Sequence, residues 1–202
     1  MKYQAVILDL GGVVIDIDFH RVFNHWAEAG QVPVSHFYDR WALDAAYEQH
    51  ETGDLDFAGY MRHLGQHFEV EMPLQEWERG WNEIFVGLYG EVLPLLHEAS
   101  ARRPLFAFTN TNATHEATWR ERYPELDVFQ HIFVSSTIGQ RKPDVPAYEY
   151  VAAQVGAAPE QILFLDDNTA NIEGARAAGL DARQAYGEAE VVSVLRAALA
   201  SA

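Results

Sequence analysis

Cysteine is absent from this 202-residue sequence, which excludes disulfides, thiolate metal sites and a cysteine nucleophile. Such a chain suits a reducing compartment, and we expect a cytoplasmic location. Basic residues are scarce, because 14 Lys and Arg stand against 30 Asp and Glu and give a net charge of −16. A negative field of this size repels nucleic acid and anionic membrane surfaces, so we expect neither as a partner.

Long hydrophobic runs are also missing. The first apolar run, Tyr3 to Leu8, is broken by Asp9 and lacks the basic segment and cleavage site of a signal peptide, so it predicts a buried strand. Hydrophobic residues make up 49%, aromatic residues 12% and charged residues 22%, which is typical of a folded enzyme. The length predicts one core with a modest insertion.

Apolar spacing divides the chain into two regions. Between roughly 17 and 90 the spacing is helical and no convincing strand is visible; the predicted helices cover 18–30, 57–68 and 74–88. Elsewhere, short apolar runs alternate with segments of helical composition. The apolar runs lie at 3–8, 105–108, 132–135 and 162–165. A closing helix is predicted at 191–202.

This alternation predicts an α/β fold with a Rossmann-like parallel sheet core. We expect the core to comprise residues 1–16 and 91–202. The helical region at 17–90 would then be an all-α helical cap domain inserted after the first strand.

Polar residues follow each apolar run, at the strand ends where parallel sheets bind ligands. They are Asp9 after the first run, Thr109 and Asn110 after the second, Lys142 in the loop after the third, and Asp166 and Asp167 after the fourth. A nucleophile, hydroxyl and amide donors, a cation and paired carboxylates would meet at one edge. The Gly11-Gly12 pair, which follows Asp9 in the sequence, would let backbone amides approach phosphate oxygens.

Three carboxylates at one edge would repel one another, at on the order of 4 kcal/mol for a pair about 4 Å apart. A divalent cation removes this cost, and hard oxygen ligands favour Mg²⁺. Mg²⁺ and Lys142 would neutralise a phosphoryl group, while Asp9 would form a covalent aspartyl phosphate that water hydrolyses. Each feature alone has a plainer explanation, such as a turn at Gly11 and Gly12 or a helix cap at Asp166 and Asp167.

Four motifs carry a family resemblance: Asp9-Leu10-Gly11-Gly12-Val13, Thr109-Asn110-Thr111-Asn112, Lys142-Pro143 and Asp166-Asp167-Asn168. In this order they resemble the haloacid dehalogenase (HAD) superfamily, subfamily IA, which has a helical cap after the first strand. The resemblance implies Asp9 as nucleophile and metal ligand, and the Gly11 carbonyl as a further metal ligand. It implies phosphate binding by the Gly11-Gly12 turn, Thr109, Asn110 and Lys142, and metal binding by Asp166 and Asp167.

Three stretches, at 16–19, 50–53 and 166–171, resemble the bacterial α-D-glucose-1-phosphate phosphatases of the family. The resemblance implies a small sugar phosphate, such as glucose 1-phosphate, as the substrate. Residues 17–90 carry 4 Arg and 13 Asp and Glu, which disfavours a polyanionic tail and favours a neutral polyol. We expect a monomer or a weak homodimer.

One position departs from the family pattern. HAD phosphatases usually carry a second Asp two residues after the nucleophile, as general acid and base, and here that residue is Gly11. Losing a general acid typically costs about 10²- to 10⁴-fold in rate. Substitutes could be Asp16, Asp18, His20 or a cap residue, and a sugar C1 oxygen would need less help to leave.

Two alternatives stay open. One is a 2-haloacid dehalogenase-type hydrolase that also uses Asp9, although Gly11 stands where those enzymes usually show Tyr. The other is a non-catalytic phosphate-binding or regulatory module that lost turnover at Gly11. We expect the cap aromatics Phe19, Trp26, Phe57, Trp77 and Trp81 to be core residues, and the histidines at 20, 50 and 115 are weak site candidates.

Overall fold

Five parallel strands form the central sheet in the computed structural model, which describes residues 2–200. The strands of the chain are β1 (Ala5–Leu8), β2 (Ile15–Ile17), β3 (Phe85–Leu88), β4 (Leu105–Thr109), β5 (His131–Val134), β6 (Ile162–Asp166) and β7 (Asp181–Gln184). The sheet order is β5-β4-β1-β6-β7, so the first strand lies at its centre. Ile7 pairs with Phe106 on one side and with Phe164 on the other.

Helices cover the sheet, as the predicted α/β fold requires. They are α1 (Phe19–Gly30), α2 (Ser35–Tyr38), α3 (Ala45–Thr52), α4 (Phe57–Phe68), α5 (Leu74–Asn82), α6 (Val92–Ser100), α7 (Ala113–Arg122), α8 (Ser135–Ile138), α9 (Val145–Val155), α10 (Thr169–Ala177) and α11 (Gly187–Ala200). Short 3₁₀ helices lie at Pro124–Val128 and Pro159–Gln161. Met1 of the predicted core and Ser201 and Ala202 of the predicted closing helix lie outside the described residues.

The predicted strand runs are confirmed because strands buried on both faces of a parallel sheet need continuous apolar sequence. Every residue of β1, β4 and β6 is buried. The apolar spacing did not reveal β7, whose sequence Asp-Ala-Arg-Gln belongs to a half-exposed edge strand.

The expectation of no strand between 17 and 90 is wrong at Phe85–Leu88. Strand β3 pairs antiparallel with β2, so that Ile17 lies opposite Phe85 and Ile15 opposite Leu88. The helical stripe that we extended from 74 to 88 ends as a helix at Asn82. A four-residue strand offers too few positions to distinguish the two periods, and pairing with a distant strand decides between them.

Asp side chains cap three of the inserted helices. Asp18, Asp44 and Asp56 accept hydrogen bonds from first-turn backbone N–H groups of α1, α3 and α4. The helices pack around tryptophans: Trp26 and Trp81 are fully buried with parallel rings whose centroids are 5.8 Å apart. The prediction that cap aromatics form core is confirmed for these two residues.

Among the contacts that join the helices between β2 and β3 to the sheet-forming part is an ion pair that is nearly buried. Arg141, in the loop before α9, donates from Nη2 at 2.8 Å and from Nε at 3.0 Å to the buried Glu51 of α3. Beside it, a Cβ added at Gly53 would lie 2.5 Å from the Ser136 carbonyl oxygen, so the α3–α4 turn packs directly on α8. Within residues 2–200, none of the helices combines the length and apolar character needed to cross a bilayer.

Candidate active site

Lys142 lies between two carboxylates at the carboxyl ends of β1 and β6. Its Nζ is 2.9 Å from Asp9 Oδ2 and 2.7 Å from Asp166 Oδ2, and it also donates to the Phe108 carbonyl oxygen at 2.9 Å. Lys142 and Asp166 are fully buried, whereas the Asp9 side chain keeps 13% of its exposure. The polar residues predicted at the strand ends therefore lie together. Of Asp9, Lys142 and Asp166, Asp9 is the one that solvent reaches.

Burial and the neighbouring opposite charges have opposing effects on the pKa values of Asp9 and Lys142. Burial raises the pKa of Asp9 to about 7, with help from the charges of Asp166 and Asp167 and against the opposing effect of Lys142. For Lys142, burial disfavours the charge, but Asp166 and Asp9 outweigh it and raise the pKa above its ordinary value. Lys142 therefore stays charged, and one lysine faces three carboxyl groups.

Asp9, Asp166 and Asp167 form an acidic cluster that can hold a metal ion. Each offers a carboxylate oxygen, and these oxygens lie within 4.8 Å of one another. The donors are hard oxygens, which fits Mg²⁺. Gly12, at φ +73°, leaves the space that the cluster needs, because an added Cβ would lie 2.5 Å from Asp167 Oδ2.

The two C-terminal carboxylates of the cluster differ in their surroundings. Asp166 accepts hydrogen bonds from Asn168 N and Asn171 Nδ2, both at 2.9 Å, besides the one from Lys142. Asp167 is half-buried and lies against the glycine turn. Asp166 is thus fixed by the protein, and Asp167 faces the open side of the cluster.

The Asn110 side chain fixes the lysine loop. Its Nδ2 donates to the Lys142 carbonyl oxygen at 2.8 Å, and its Oδ1 accepts from the Lys142 N–H at 2.9 Å. These two hydrogen bonds hold the Asn110 side chain against the Lys142 backbone, and the predicted binding of phosphate by Asn110 stays a prediction. Thr109, the last residue of β4, lines the cavity described next.

A cavity of about 90 Å³ adjoins Gly11, Thr109 and Asn110. Most of its remaining surface is an apolar wall, made of Ile15, Ile17, Phe19, Ile84, Phe85 and Trp119. Leu10, Tyr47, Thr111, Asn112 and His115 complete the lining. Phe19, which we expected in the core, is part of this wall.

The substitute acids suggested by the sequence do not lie in this lining. Asp18 caps α1, and His20 contacts the Tyr38 hydroxyl. Asp16 receives a hydrogen bond from Tyr89 at 3.4 Å, and it alternates with Ile15 and Ile17, which point into the cavity. His50 also lies elsewhere, with Nδ1 on the Leu55 carbonyl oxygen.

His115 is the one weak histidine candidate that does line the cavity. Its Nε2 bonds to the Trp81 carbonyl oxygen at 2.9 Å, and burial lowers its pKa to about 3. The ring is therefore neutral and donates from Nε2 to that carbonyl. Residue spacing did not reveal the cavity residues Tyr47, Phe85 and Trp119, because they come from three separate elements.

Comparison with known proteins gives a consistent family. The pattern of the haloacid dehalogenase-like hydrolases matches residues 3–179. A sesquiterpene phosphatase of Aspergillus oryzae is 36% identical over 183 residues, covering 88% of this chain and 87% of the relative. A D-ribitol-5-phosphate phosphatase of Bacteroides thetaiotaomicron is 22% identical over 191 residues, covering 90% and 91%.

Solved structures share the fold. A magnesium complex of a HAD family enzyme from Bacteroides thetaiotaomicron superposes with a TM-score of 0.86 at 20% identity, covering 97% of this chain and 100% of that one.

Proposed function

Because the chain belongs to the haloacid dehalogenase-like hydrolases, we propose that it hydrolyses phosphate monoesters at the acidic cluster and Lys142. One observation carries the proposal. The Asp9 carboxylate, which keeps solvent access, lies 2.9 Å from the Nζ of the fully buried Lys142. Its oxygen also lies within 4.8 Å of oxygens of two further carboxylates, so that the three could bind one metal ion. The arrangement combines a nucleophile with the positive charge that a phosphoryl group needs.

The proposed reaction has two steps at Asp9. An Asp9 oxygen bonds to phosphorus as the bond between phosphorus and the alcohol oxygen breaks, and the alcohol leaves with a proton taken from water. A second water then attacks the phosphorus of the aspartyl phosphate, which frees inorganic phosphate and the Asp9 carboxylate. Dividing the hydrolysis in this way replaces one difficult step by two easier ones.

Lys142 serves both steps through its position. Its ammonium stays charged between Asp9 and Asp166, so it is ready to neutralise phosphoryl oxygens as their charge shifts. Asn110 holds the lysine backbone in place, and Thr109 and the backbone of the Gly11-Gly12 turn offer the remaining donors to the phosphate.

Mg²⁺ is the proposed cofactor, held by Asp9, Asp166, Asp167 and the Gly11 carbonyl. When bound, it supplies positive charge to phosphoryl oxygens and lowers the proton affinity of Asp9. The protein contributes the fixed position of Asp166, and Gly12 contributes the space beside Asp167.

The finer expectation, a sugar phosphate such as glucose 1-phosphate, stays a prediction. Its support is the local sequence resemblance and the relative named for ribitol 5-phosphate. The relative named for sesquiterpenes points instead to a hydrocarbon alcohol. The two relatives define the substrate classes that a first panel must contain.

Phosphate release tests the proposal. Wild type and Asp9→Asn would be assayed with p-nitrophenyl phosphate, glucose 1-phosphate, ribitol 5-phosphate and pentyl phosphate, in Mg²⁺ and in EDTA. We expect release that needs Mg²⁺ and falls about 10³-fold or more without the nucleophile. Asp181→Asn, at the β7 edge beside Lys2, is the matched control and should keep full activity.

The same assay separates the alternatives. Halide release from 2-haloacids without phosphate release would favour the dehalogenase, which has no need for the acidic cluster. Mg²⁺-dependent phosphate binding that is unchanged by Asp9→Asn and accompanied by no turnover would favour the binding module.

Three further predictions accompany this function. We propose that residues 1–16 and 91–202 act as the catalytic core and 17–90 as the cap. The cytoplasmic location and the monomer or weak homodimer also stay predictions, as does the absence of a nucleic-acid partner.

A further inference from the structure

The cavity beside Gly11 lies where the alcohol portion of a bound phosphate monoester would sit, given the function proposed above. It touches the nucleophile turn through Gly11 and the end of β4 through Thr109. An ester phosphate held at these residues would direct its alcohol into the cavity. The chemistry of the lining therefore sets which alcohols are accepted.

Next to the ester position the lining is hydrocarbon. A Cβ added at Gly11 would lie 3.1 Å from Ile17 Cδ1, so Ile17 fills the space toward which a side chain at position 11 would point. Phe19 and Phe85 flank Ile17 in the apolar wall.

Polar groups of the lining are mostly engaged with the protein. His115 bonds to the Trp81 carbonyl oxygen, Asn112 Oδ1 accepts the His115 N–H at 3.0 Å, and the Asn110 side chain holds the lysine loop. The Tyr47 hydroxyl hydrogen-bonds to the Glu51 carboxylate. The Thr111 hydroxyl remains, beside the Thr109 hydroxyl already assigned to the phosphate. A polyol would lose hydrogen bonds to water here that the lining does not replace.

We propose that this cavity is the alcohol subsite and that it selects phosphate monoesters of apolar alcohols over those of polyols. The inference rests on the proposed phosphatase function and narrows it to a substrate class. A volume of about 90 Å³ suits a short alkyl or alkenyl chain next to the ester oxygen, because an apolar cavity of about 150 Å³ accepts benzene.

Pairs of esters that differ only in hydroxyl groups test the proposal. Propyl phosphate would be compared with glycerol 1-phosphate, and pentyl phosphate with ribitol 5-phosphate, by kcat/KM in Mg²⁺. We expect the alkyl ester of each pair to be preferred about tenfold or more. The intrinsic reactivity of the esters works against this result, since the polyols are the more acidic alcohols and leave more easily.

Ile17→Thr sharpens the test, because it places a hydroxyl in the apolar wall while keeping a β-branched strand residue. We expect the preference for the alkyl esters to fall at least threefold in this variant. Val86→Thr is the matched control: Val86 lies on the same two-stranded ribbon, is 47% exposed and is absent from the cavity lining. The preference should not change there.

Equal or better turnover of ribitol 5-phosphate, glycerol 1-phosphate or glucose 1-phosphate would overturn the inference. The proposed function would survive that outcome, provided that p-nitrophenyl phosphate is hydrolysed in a Mg²⁺-dependent manner that Asp9→Asn abolishes. If wild type hydrolyses none of these esters, the proposed function and the inference fall together.

Discussion

The two sides of the cavity differ in their electrostatics, because one side is charged and the other is apolar. At the sheet edge, four ionisable side chains lie close together, and the charge of Lys142 is balanced by Asp9 and Asp166. At the apolar wall most side chains are hydrocarbon, and burial keeps His115, which also lines the cavity, neutral. The difference supports the proposals that the sheet edge carries the chemistry and that the apolar wall selects the alcohol.

The charged side is tested most strongly by removing its lysine. Lys142→Met leaves Asp9 and Asp166 buried without their cation, and we expect a loss of about 3–5 kcal/mol in unfolding free energy. Urea denaturation in EDTA measures it. The only other lysine, Lys2, also contacts an aspartate, at 2.6 Å, but its side chain is 53% exposed.

Lys2→Met is therefore the matched control and should leave the free energy of unfolding almost unchanged, because an exposed ion pair contributes little to stability. Equal losses in the two variants would show that burial does not distinguish the two ion pairs, and the comparison of the cavity's two sides would fail.

The neutral side is tested by acid. Burial lowers the pKa of His115 from an ordinary value of 6.5 to about 3, so below pH 6.5 the unfolded chain binds a proton that the folded chain does not. Stability is lost as the pH falls from 6.5 toward 3, and the His115 contribution between pH 7.5 and 5 is about 2 kcal/mol. Urea denaturation of wild type and His115→Gln at both pH values isolates it, and parallel pH profiles would contradict a neutral His115.

The close packing of the glycine turn gives the smallest expected effect. Gly12 and Gly156 share a positive φ, +73° and +75°, but only at Gly12 would an added Cβ meet a neighbour, Asp167. Alanine at either position carries the same backbone strain, and Gly12→Ala also displaces a metal ligand. We expect the Mg²⁺ concentration for half-maximal phosphate release to rise about tenfold in Gly12→Ala and to stay unchanged in Gly156→Ala; a rise in both would assign the effect to strain.

Sequence alone predicted the charged side well and the apolar wall poorly. Continuous apolar runs revealed β1, β4 and β6, and the polar residues at their ends followed directly, because parallel strands deliver their carboxyl ends to one edge. Lys142 was found in the same way. Its contact with both Asp9 and Asp166 agrees with that expectation.

The apolar wall was not predictable because no local pattern marks it. Ile17 and Phe85 become neighbours only through the β2–β3 pairing, and the sequence of β3 continued a helical stripe. Trp119 lies on α7 and nothing in the sequence distinguished it from other helix residues, whereas His115 of the same helix was a weak site candidate. The role of Asn110 was also hidden, since its bonds to Lys142 span the loop between two strands.

The pairing of Ile17 with Phe85 gives the insertion the topology of a hairpin loop. The chain leaves the sheet-forming part along β2 and returns to it along β3, side by side, whatever the length of the segment between. We therefore expect that residues 18–84 can be lengthened, shortened or exchanged without shifting the register of the five parallel strands, provided that the contacts of this segment with α7 and α8 are replaced. A change of that kind would alter the proposed alcohol subsite, because Phe19, Tyr47 and Ile84 lie within the exchanged segment and line the cavity.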